Sequence, residues 1–126
     1  MRYLISLSLI IAGIIHLLPL TGVLGADKLA MLYGTSFDDP NLVILMRHRA
    51  VLFGLLVTLF VVAAFKPALQ ALAFAFGFVS VLSFLWLALS TGNYSIQVNR
   101  IVIADLIALG SLMVGSAVFL YSKWHS

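Results

Sequence analysis

Long apolar stretches alternate with short polar segments along this chain. The apolar stretches cover residues 3–24, 42–65, 68–90 and 100–121. A helix needs about 20 residues to cross the hydrocarbon core of a bilayer, so each stretch is long enough to do so. Because helices joined by short connections run in opposite directions, we expect neighbouring spans to be antiparallel. The pattern predicts an all-α integral membrane protein, a four-helix antiparallel bundle forming a single domain over residues 1–126.

The polar segments predict where the helices begin and end. The longest connection, residues 25–41, contains a short amphipathic helix at 26–33 that we expect to lie on the membrane. The run Asp39-Pro40 is typical of a helix start, since aspartate accepts bonds from free amides and proline needs no donor there. The run Lys66-Pro67 ends the second long helix, and residues 91–94 form a turn.

The composition indicates that lipid surrounds this protein. Of the 126 residues, 63% are hydrophobic and 9% are charged, whereas a soluble domain has about 25% charged residues. Seven Lys and Arg residues stand against four acidic ones, and the net charge of +3 is too small to indicate a nucleic-acid interface. The chain has no cysteine, which excludes disulfides, thiol chemistry and cysteine-ligated metals.

The first apolar stretch has an alternative interpretation. Arg2 followed by an apolar run is also the pattern of a cleaved signal peptide. The run is long for such a peptide, and Leu24 is bulky where a cleavage site needs a small residue, so we expect a retained helix.

Counting Lys and Arg residues does not decide the orientation, but Arg2 before the first helix favours both termini in the cytoplasm.

Polar side chains concentrate in one half of the predicted bundle. Antiparallel threading brings the end of the first helix, the start of the second, the end of the third and the start of the fourth to one side. The candidate ligand-binding residues on that side are His16, Arg47, His48, Arg49, Ser83, Arg100 and Asp105. The opposite half carries few polar residues within its helices, so this asymmetry is the main sequence indication of function.

Asp105 is the most unusual residue of this set. A lone carboxylate within a membrane span has to find a partner or take up a proton. Arg47 and Arg49 are the candidate partners, and they lie about 200° apart around a helix. We expect Arg49 to face inward, because it shares a helix face with Phe53. The alternatives are a purely structural ion pair between two helices and an interfacial Asp105 that meets water.

The two histidines of this half allow metal binding or proton transfer, because imidazole serves both. His16 and His48 lack the local spacing of a metal site, so we expect no metal. Hydrogen-bonded packing is the alternative for each of them.

Stripes of small residues also predict close helix contacts. They comprise Ala104, Ala108, Ser111 and Gly115 on the fourth helix and Ala73, Gly77 and Ser80 on the third.

Several runs carry a resemblance to a known family. They are Ala12-Gly13-Ile14-Ile15-His16-Leu17-Leu18-Pro19, Leu32-Tyr33-Gly34, Met46-Arg47-His48-Arg49-Ala50-Val51-Leu52-Phe53-Gly54 and Ala104-Asp105-Leu106. The chain resembles a family of small bacterial four-helix membrane proteins and is similar in plan to the DoxX-like group. This resemblance implies a multi-pass inner-membrane protein, in some relatives attached to a quinone-linked or redox system, and it assigns no catalytic residue. Some relatives are labelled phosphopantetheine adenylyltransferase, but the Thr-x-Gly-His motif of that soluble enzyme does not occur in this chain.

Three hypotheses for function remain open. The first is a ligand-binding or accessory module in which Arg49, Asp105 and His16 line a pocket for the polar head of a quinone or lipid. The second is a small membrane enzyme with isomerase-like acid–base chemistry on an apolar substrate. The third is a structural subunit without a site, whose small-residue stripes contact a larger membrane complex or a second copy of the chain. The lipid bilayer is the immediate partner in each case, and a quinone is the candidate cofactor.

Overall fold

The computed structural model describes residues 2–20, 24–34 and 38–125, and within these ranges the regular structure is helical. The side chains of residues 18–20 and 26 are left out of the description. In chain order the α-helices are α1 Arg2–Leu20, α2 Ala26–Tyr33, α3 Pro40–Phe65, α4 Gln70–Thr91 and α5 Ile96–Trp124. A short 3₁₀ turn, Pro67–Leu69, leads into α4.

Among the described residues, three segments are long and apolar enough to cross a membrane: Pro40–Phe65, Pro67–Thr91 and Ile96–Trp124. They correspond to the second, third and fourth predicted stretches, whose helical structure is confirmed. The apolar part of α1, Arg2–Leu17, is shorter than these. Residues 21–23, near the end of the first predicted stretch, lie outside the described residues.

Local sequence signals account for the boundaries of α3. The Asp39 side chain accepts a hydrogen bond from the backbone amide of Asn41 at 2.9 Å, and Pro40 occupies the first turn. This is the predicted helix start, with one free amide satisfied by a side-chain oxygen. At the other end Lys66 adopts an extended conformation before Pro67, as expected of a residue that precedes proline.

The last helix begins earlier than predicted. Ser95 caps α5 by accepting a hydrogen bond from the Val98 amide at 3.1 Å, so the helix starts at Ile96 rather than near residue 100. Arg100 therefore lies within the helix, where it is exposed. The predicted turn at residues 91–94 is confirmed, because α4 ends at Thr91 and Gly92 has a positive φ of 65°.

Helix α1 lies against α3 and α5, which are its main contacts. Near its start, the Ser6 hydroxyl donates to the Ala64 carbonyl of α3 at 2.6 Å. Two residues further on, the Ser111 hydroxyl of α5 donates to the Ser8 carbonyl at 3.0 Å. Leu9 is fully buried between the helices. Although α1 is shorter than the other long helices, it contributes to the same core.

The small-residue stripes are used for helix contacts within the chain, as predicted. A Cβ atom on Gly115 of α5 would collide with the Ser8 side chain of α1. A Cβ atom on Gly77 of α4 would lie 3.1 Å from atoms of Leu112 and Phe60. Helices approach closely in lipid where such small residues meet. Gly77 and Gly115 therefore serve helix contacts within this chain.

Helix α2 has the predicted limits and packs on the ends of α3 and α5. Its apolar side carries Leu29 and Tyr33, which are both buried. The Ser95 hydroxyl donates to the Tyr33 carbonyl at 2.6 Å and ties α2 to the start of α5. Gly34 ends α2 with a left-handed conformation, φ 68°, that glycine adopts without strain. The apolar side of α2 thus faces α3 and α5.

Large apolar side chains also cover the outside of the long helices. Leu55 is 63% exposed and Val79 is 67% exposed, and α5 presents a similar outer face. Soluble monomers rarely expose contiguous apolar surfaces of this kind. This outer surface is compatible with contact between the long helices and a lipid bilayer.

Candidate functional site

Arg49 is held in a defined position two turns into α3. Its guanidinium donates a hydrogen bond to the Tyr33 hydroxyl of α2. It also lies over the Phe53 ring, with 4.6 Å between the guanidinium carbon and the ring centroid. A guanidinium is attracted to the face of an aromatic ring at this distance. Arg49 is half-buried whereas Arg47 is exposed, so Arg49 turns inward as its shared face with Phe53 predicted.

His16 of α1 is buried and joins α1 to α4. Its Nδ1 atom lies 2.7 Å from the Ala12 carbonyl, which can only accept a hydrogen bond, so Nδ1 carries a proton. Its Nε2 atom lies 3.3 Å from the Ser80 hydroxyl of α4. The imidazole packs edge-on against Phe60, with the ring centroids 5.1 Å apart. His16 therefore acts as a hydrogen-bonded packing residue that also borders a polar cavity.

This cavity lies between α1, α3, α4 and α5, and we call it the inner cavity. Its wall is formed by Ile15, His16, Arg49, Phe53, Phe84, Ile101, Ala104 and Asp105. Its volume of about 10 Å³ is close to the minimum that holds one water molecule. Among these lining residues, Arg49 and Asp105 carry charges and His16 contributes an imidazole. The other lining residues are apolar.

Asp105 faces Arg49 across this cavity. The positive charge of Arg49 acts on the Asp105 carboxylate. Within the described part of the chain no direct salt bridge joins the two, and the hydrogen bond of Arg49 goes to Tyr33 instead. The predicted juxtaposition is therefore present, at a cavity with about the volume of one water.

A much larger space lies on the other side of Arg49, between α3 and α4, and we call it the α3–α4 groove. Its volume is about 500 Å³. The lining residues are Arg49, Leu52, Phe53, Leu56, Phe76, Val79, Ser80, Ser83, Phe84 and Leu87. Contacts between α3 and α4 are sparse compared with those that α1 makes to α3 and α5, which leaves this space unfilled. Arg49, Phe53 and Phe84 form the partition between groove and inner cavity.

The structure brings together some of the predicted site residues. His16, Arg49 and Asp105 meet at the inner cavity, and Ser83 lies in the groove together with Arg49. The remaining candidates line neither space and are exposed; they are Arg47, His48 and Arg100. Successive residues of a helix point about 100° apart, so only one member of the run at 47–49 can face inward.

Tyr33 is the site residue that sequence reasoning did not identify as such. Its hydroxyl holds Arg49, and its ring centroid lies 5.6 Å from the guanidinium carbon. In the sequence Tyr33 belongs to the predicted amphipathic helix at 26–33 and to the run Leu32-Tyr33-Gly34, and neither gave it a role at the site. The contact depends on how the 25–41 connection folds back onto α3, and residue spacing contains no information about that.

Comparison of the chain with protein families, with curated proteins and with solved structures gives no match.

Proposed function

We propose that this chain is a small membrane protein that binds the polar head of an apolar molecule, a quinone or a lipid, in the α3–α4 groove. In this proposal α1 also spans the bilayer, and the four long helices form an antiparallel bundle, DoxX-like in plan, in a bacterial inner membrane with both termini in the cytoplasm. The observation that carries the proposal is an apolar groove of about 500 Å³ that contains a half-buried arginine.

Arg49 is suited to hold a head group. A guanidinium has five N–H donors in a planar fork, and the Tyr33 hydroxyl accepts a hydrogen bond from one of its nitrogens. The Phe53 ring beneath it restricts its orientation, which lowers the entropy lost on binding. A quinone carbonyl, a phosphate and a carboxylate all present oxygens that accept from such a fork. The Ser80 and Ser83 side chains add hydroxyls to the same groove.

The walls of the groove are suited to an apolar tail. Leu52 and Leu56 line it from α3, and Phe76 and Val79 line it from α4. From Arg49 to Leu56 the helix rises about 10 Å, which is a length of two turns. Leu52 and Val79 are 51% and 67% exposed, so the groove opens on the outer surface of the helices. A tail lying there remains in contact with surrounding hydrocarbon.

The inner cavity supports Arg49 from behind. With about 10 Å³ it is too small for the head group that the sequence suggested between Arg49, Asp105 and His16. Its role in this proposal is electrostatic, because the Asp105 carboxylate offsets the charge of an arginine within an apolar span. The head group itself contacts Arg49 from the groove side.

Binding is better supported than the two alternatives. The polar residues among the groove's described lining are Arg49, Ser80 and Ser83, which provide no carboxylate or imidazole for acid–base chemistry on a bound molecule. A structural subunit would need free small-residue stripes, but Gly77 and Gly115 are covered by neighbouring helices of the same chain.

The test compares Arg49→Gln with the matched control Arg47→Gln, which removes the same charge from the same helix outside the groove. The probes are a short-chain ubiquinone and a phosphatidylglycerol, titrated into the protein in neutral detergent micelles. Hydrogen bonds to a charged group contribute about 1.5–3 kcal/mol, so Arg49→Gln should weaken binding about 10- to 100-fold. Arg47→Gln should leave the affinity within about twofold, since an exposed charge that does not line the groove contributes little.

Two further variants separate the head from the tail. Ser83→Phe fills the groove without changing a charge, and it should weaken both probes. Asp105→Asn removes the negative charge behind Arg49, so the anionic lipid should bind more tightly while the neutral quinone changes little. Equal affinity of the folded wild-type and Arg49→Gln proteins for both probes would refute the proposal.

A further inference from the structure

A third space lies at the opposite end of the helices from α2, and we call it the cationic cavity. It has a volume of about 200 Å³ and lies where α1 begins, α3 ends, α4 begins and α5 ends. Its inner wall is apolar and buried, with Ile5, Ala64 and Phe119 each less than 9% exposed. Along α3 it is separated from Arg49 by about four turns, or roughly 22 Å, so it is distinct from the groove.

Two cations border this cavity. Arg2 at the start of α1 and Lys123 at the end of α5 both line it, and both are exposed. The Lys123 ammonium lies 5.2 Å from the centroid of the Phe119 ring, which places the charge beside the apolar wall. Arg2 and Lys123 each contribute a positive charge to this wall, and its described lining residues include no acid.

Fixed polar groups lie beneath the two cations. The Ser6 hydroxyl donates to the Ala64 carbonyl at 2.6 Å, and the buried Gln70 amide donates to the Ala63 carbonyl at 3.1 Å. Each bond fixes the side chain, while the hydroxyl oxygen of Ser6 and the second N–H of Gln70 remain able to bond a ligand. The cavity therefore combines two positive charges with oriented polar groups above an apolar base.

The geometry points to a site for the phosphate of an anionic phospholipid. Cations at the ends of membrane helices attract anionic head groups, and their long side chains reach the head-group level from an apolar wall. Inorganic phosphate shares the charge but not the hydrocarbon. The apolar wall of the cavity, continued outward by the 72%-exposed Phe65, favours the lipid because its acyl chains lie along that surface.

The experiment measures how many lipids each protein retains, and how tightly, by native mass spectrometry from neutral detergent micelles. The probes are phosphatidylglycerol, zwitterionic phosphatidylcholine and inorganic phosphate. Each cation near the head group contributes about a fivefold gain in affinity, so Arg2→Gln/Lys123→Gln should bind phosphatidylglycerol roughly 30-fold more weakly. Both residues are exposed at helix ends, and the thermal unfolding of each variant is followed in parallel so that the affinities of folded proteins are compared.

Lys66→Gln is the matched control, because Lys66 is an exposed cation at the same end of the helices and does not line the cavity. It should change the affinity less than twofold. A loss in Lys66→Gln equal to that in Lys123→Gln would overturn the site, because it would show a general surface attraction. Equal retention of the two lipids, or tight binding of inorganic phosphate alone, would also overturn it. Arg49→Gln should remove only the lipid of the groove, and Arg2→Gln/Lys123→Gln should cause the same further loss of lipid on that background, which keeps this test separate from that of the groove.

Discussion

The contact between α1 and α5 allows one substitution to be worked out in detail. Gly115 of α5 faces Ser8 of α1, and an added Cβ would lie 2.6 Å from the Ser8 Cβ and 3.0 Å from a ring carbon of Phe74. The Ser8 hydroxyl can rotate away, but its Cβ is attached to the backbone and cannot. Gly115→Ala therefore requires the two helices to separate.

The expected cost follows from the behaviour of overpacked cores. Forcing an extra carbon into a packed interface costs about 1–3 kcal/mol. Gly110 lies on the same helix with nothing within 4 Å of its added Cβ, so Gly110→Ala is the matched control. Replacing a helical glycine by alanine in open space gains up to about 1 kcal/mol. This gain applies to both positions, so the two variants should differ by the packing cost, about 1–3 kcal/mol in free energy of unfolding.

The assay is reversible unfolding in mixed micelles, followed by the circular dichroism of the helices while the fraction of denaturing detergent is raised. A Ser8→Gly substitution removes the colliding side chain, so it should restore part of the stability of Gly115→Ala. The coupling in that double-mutant cycle should be about 1 kcal/mol or more. Gly115→Ala as stable as Gly110→Ala, or a cycle without coupling, would refute the close packing of α1 on α5.

Two other substitutions test the core and the position of Arg49. Phe60 is fully buried, so Phe60→Ala should lower the free energy of unfolding by about 3–5 kcal/mol. The Phe65 ring is 72% exposed, so Phe65→Ala should lower it by less than about 0.5 kcal/mol. Equal costs in the same unfolding assay would contradict the assigned core. Tyr33→Phe removes the oxygen that accepts from Arg49, so it should lower the free energy of unfolding by about 1.5 kcal/mol and weaken the binding of the ubiquinone probe. Tyr94→Phe should have neither effect. An unchanged affinity of Tyr33→Phe for ubiquinone would show that Tyr33 does not position Arg49.

Much of the helical structure was predictable because simple energetic rules determine it. Apolar runs of about 20 residues form helices in lipid, where unpaired backbone groups are costly. Asp39 before Pro40 predicted the start of α3, and the structure has that cap. The start of α5 was placed too late, because Ser95 was assigned to the preceding connection although it caps the helix. A serine in a polar run gives a weak signal.

The residues of the site that carry a charge were predictable, because burying a charge in hydrocarbon is costly. The shape of the site was not predictable. His16, Arg49 and Asp105 share one cavity, as expected if charged groups in hydrocarbon gather together. Spacing along α3 also distinguished Arg49 from Arg47. The size of the cavity and the position of the groove depend on how closely the helices pack, which depends on side-chain fit across helices. Tyr33 was missed for the same reason.

The position of α2 has a consequence for the route by which any ligand reaches Arg49. Tyr33 covers the guanidinium from the end of the helices, and the Ser95 bond to its carbonyl keeps α2 in place. The groove is open instead along its side, where Leu52 and Leu87 are 51% and 56% exposed. A molecule that reaches Arg49 sideways must first dissolve in the membrane. Its occupancy would then follow its mole fraction among the lipids rather than its concentration in water, so the bilayer would act as the reservoir that loads the protein.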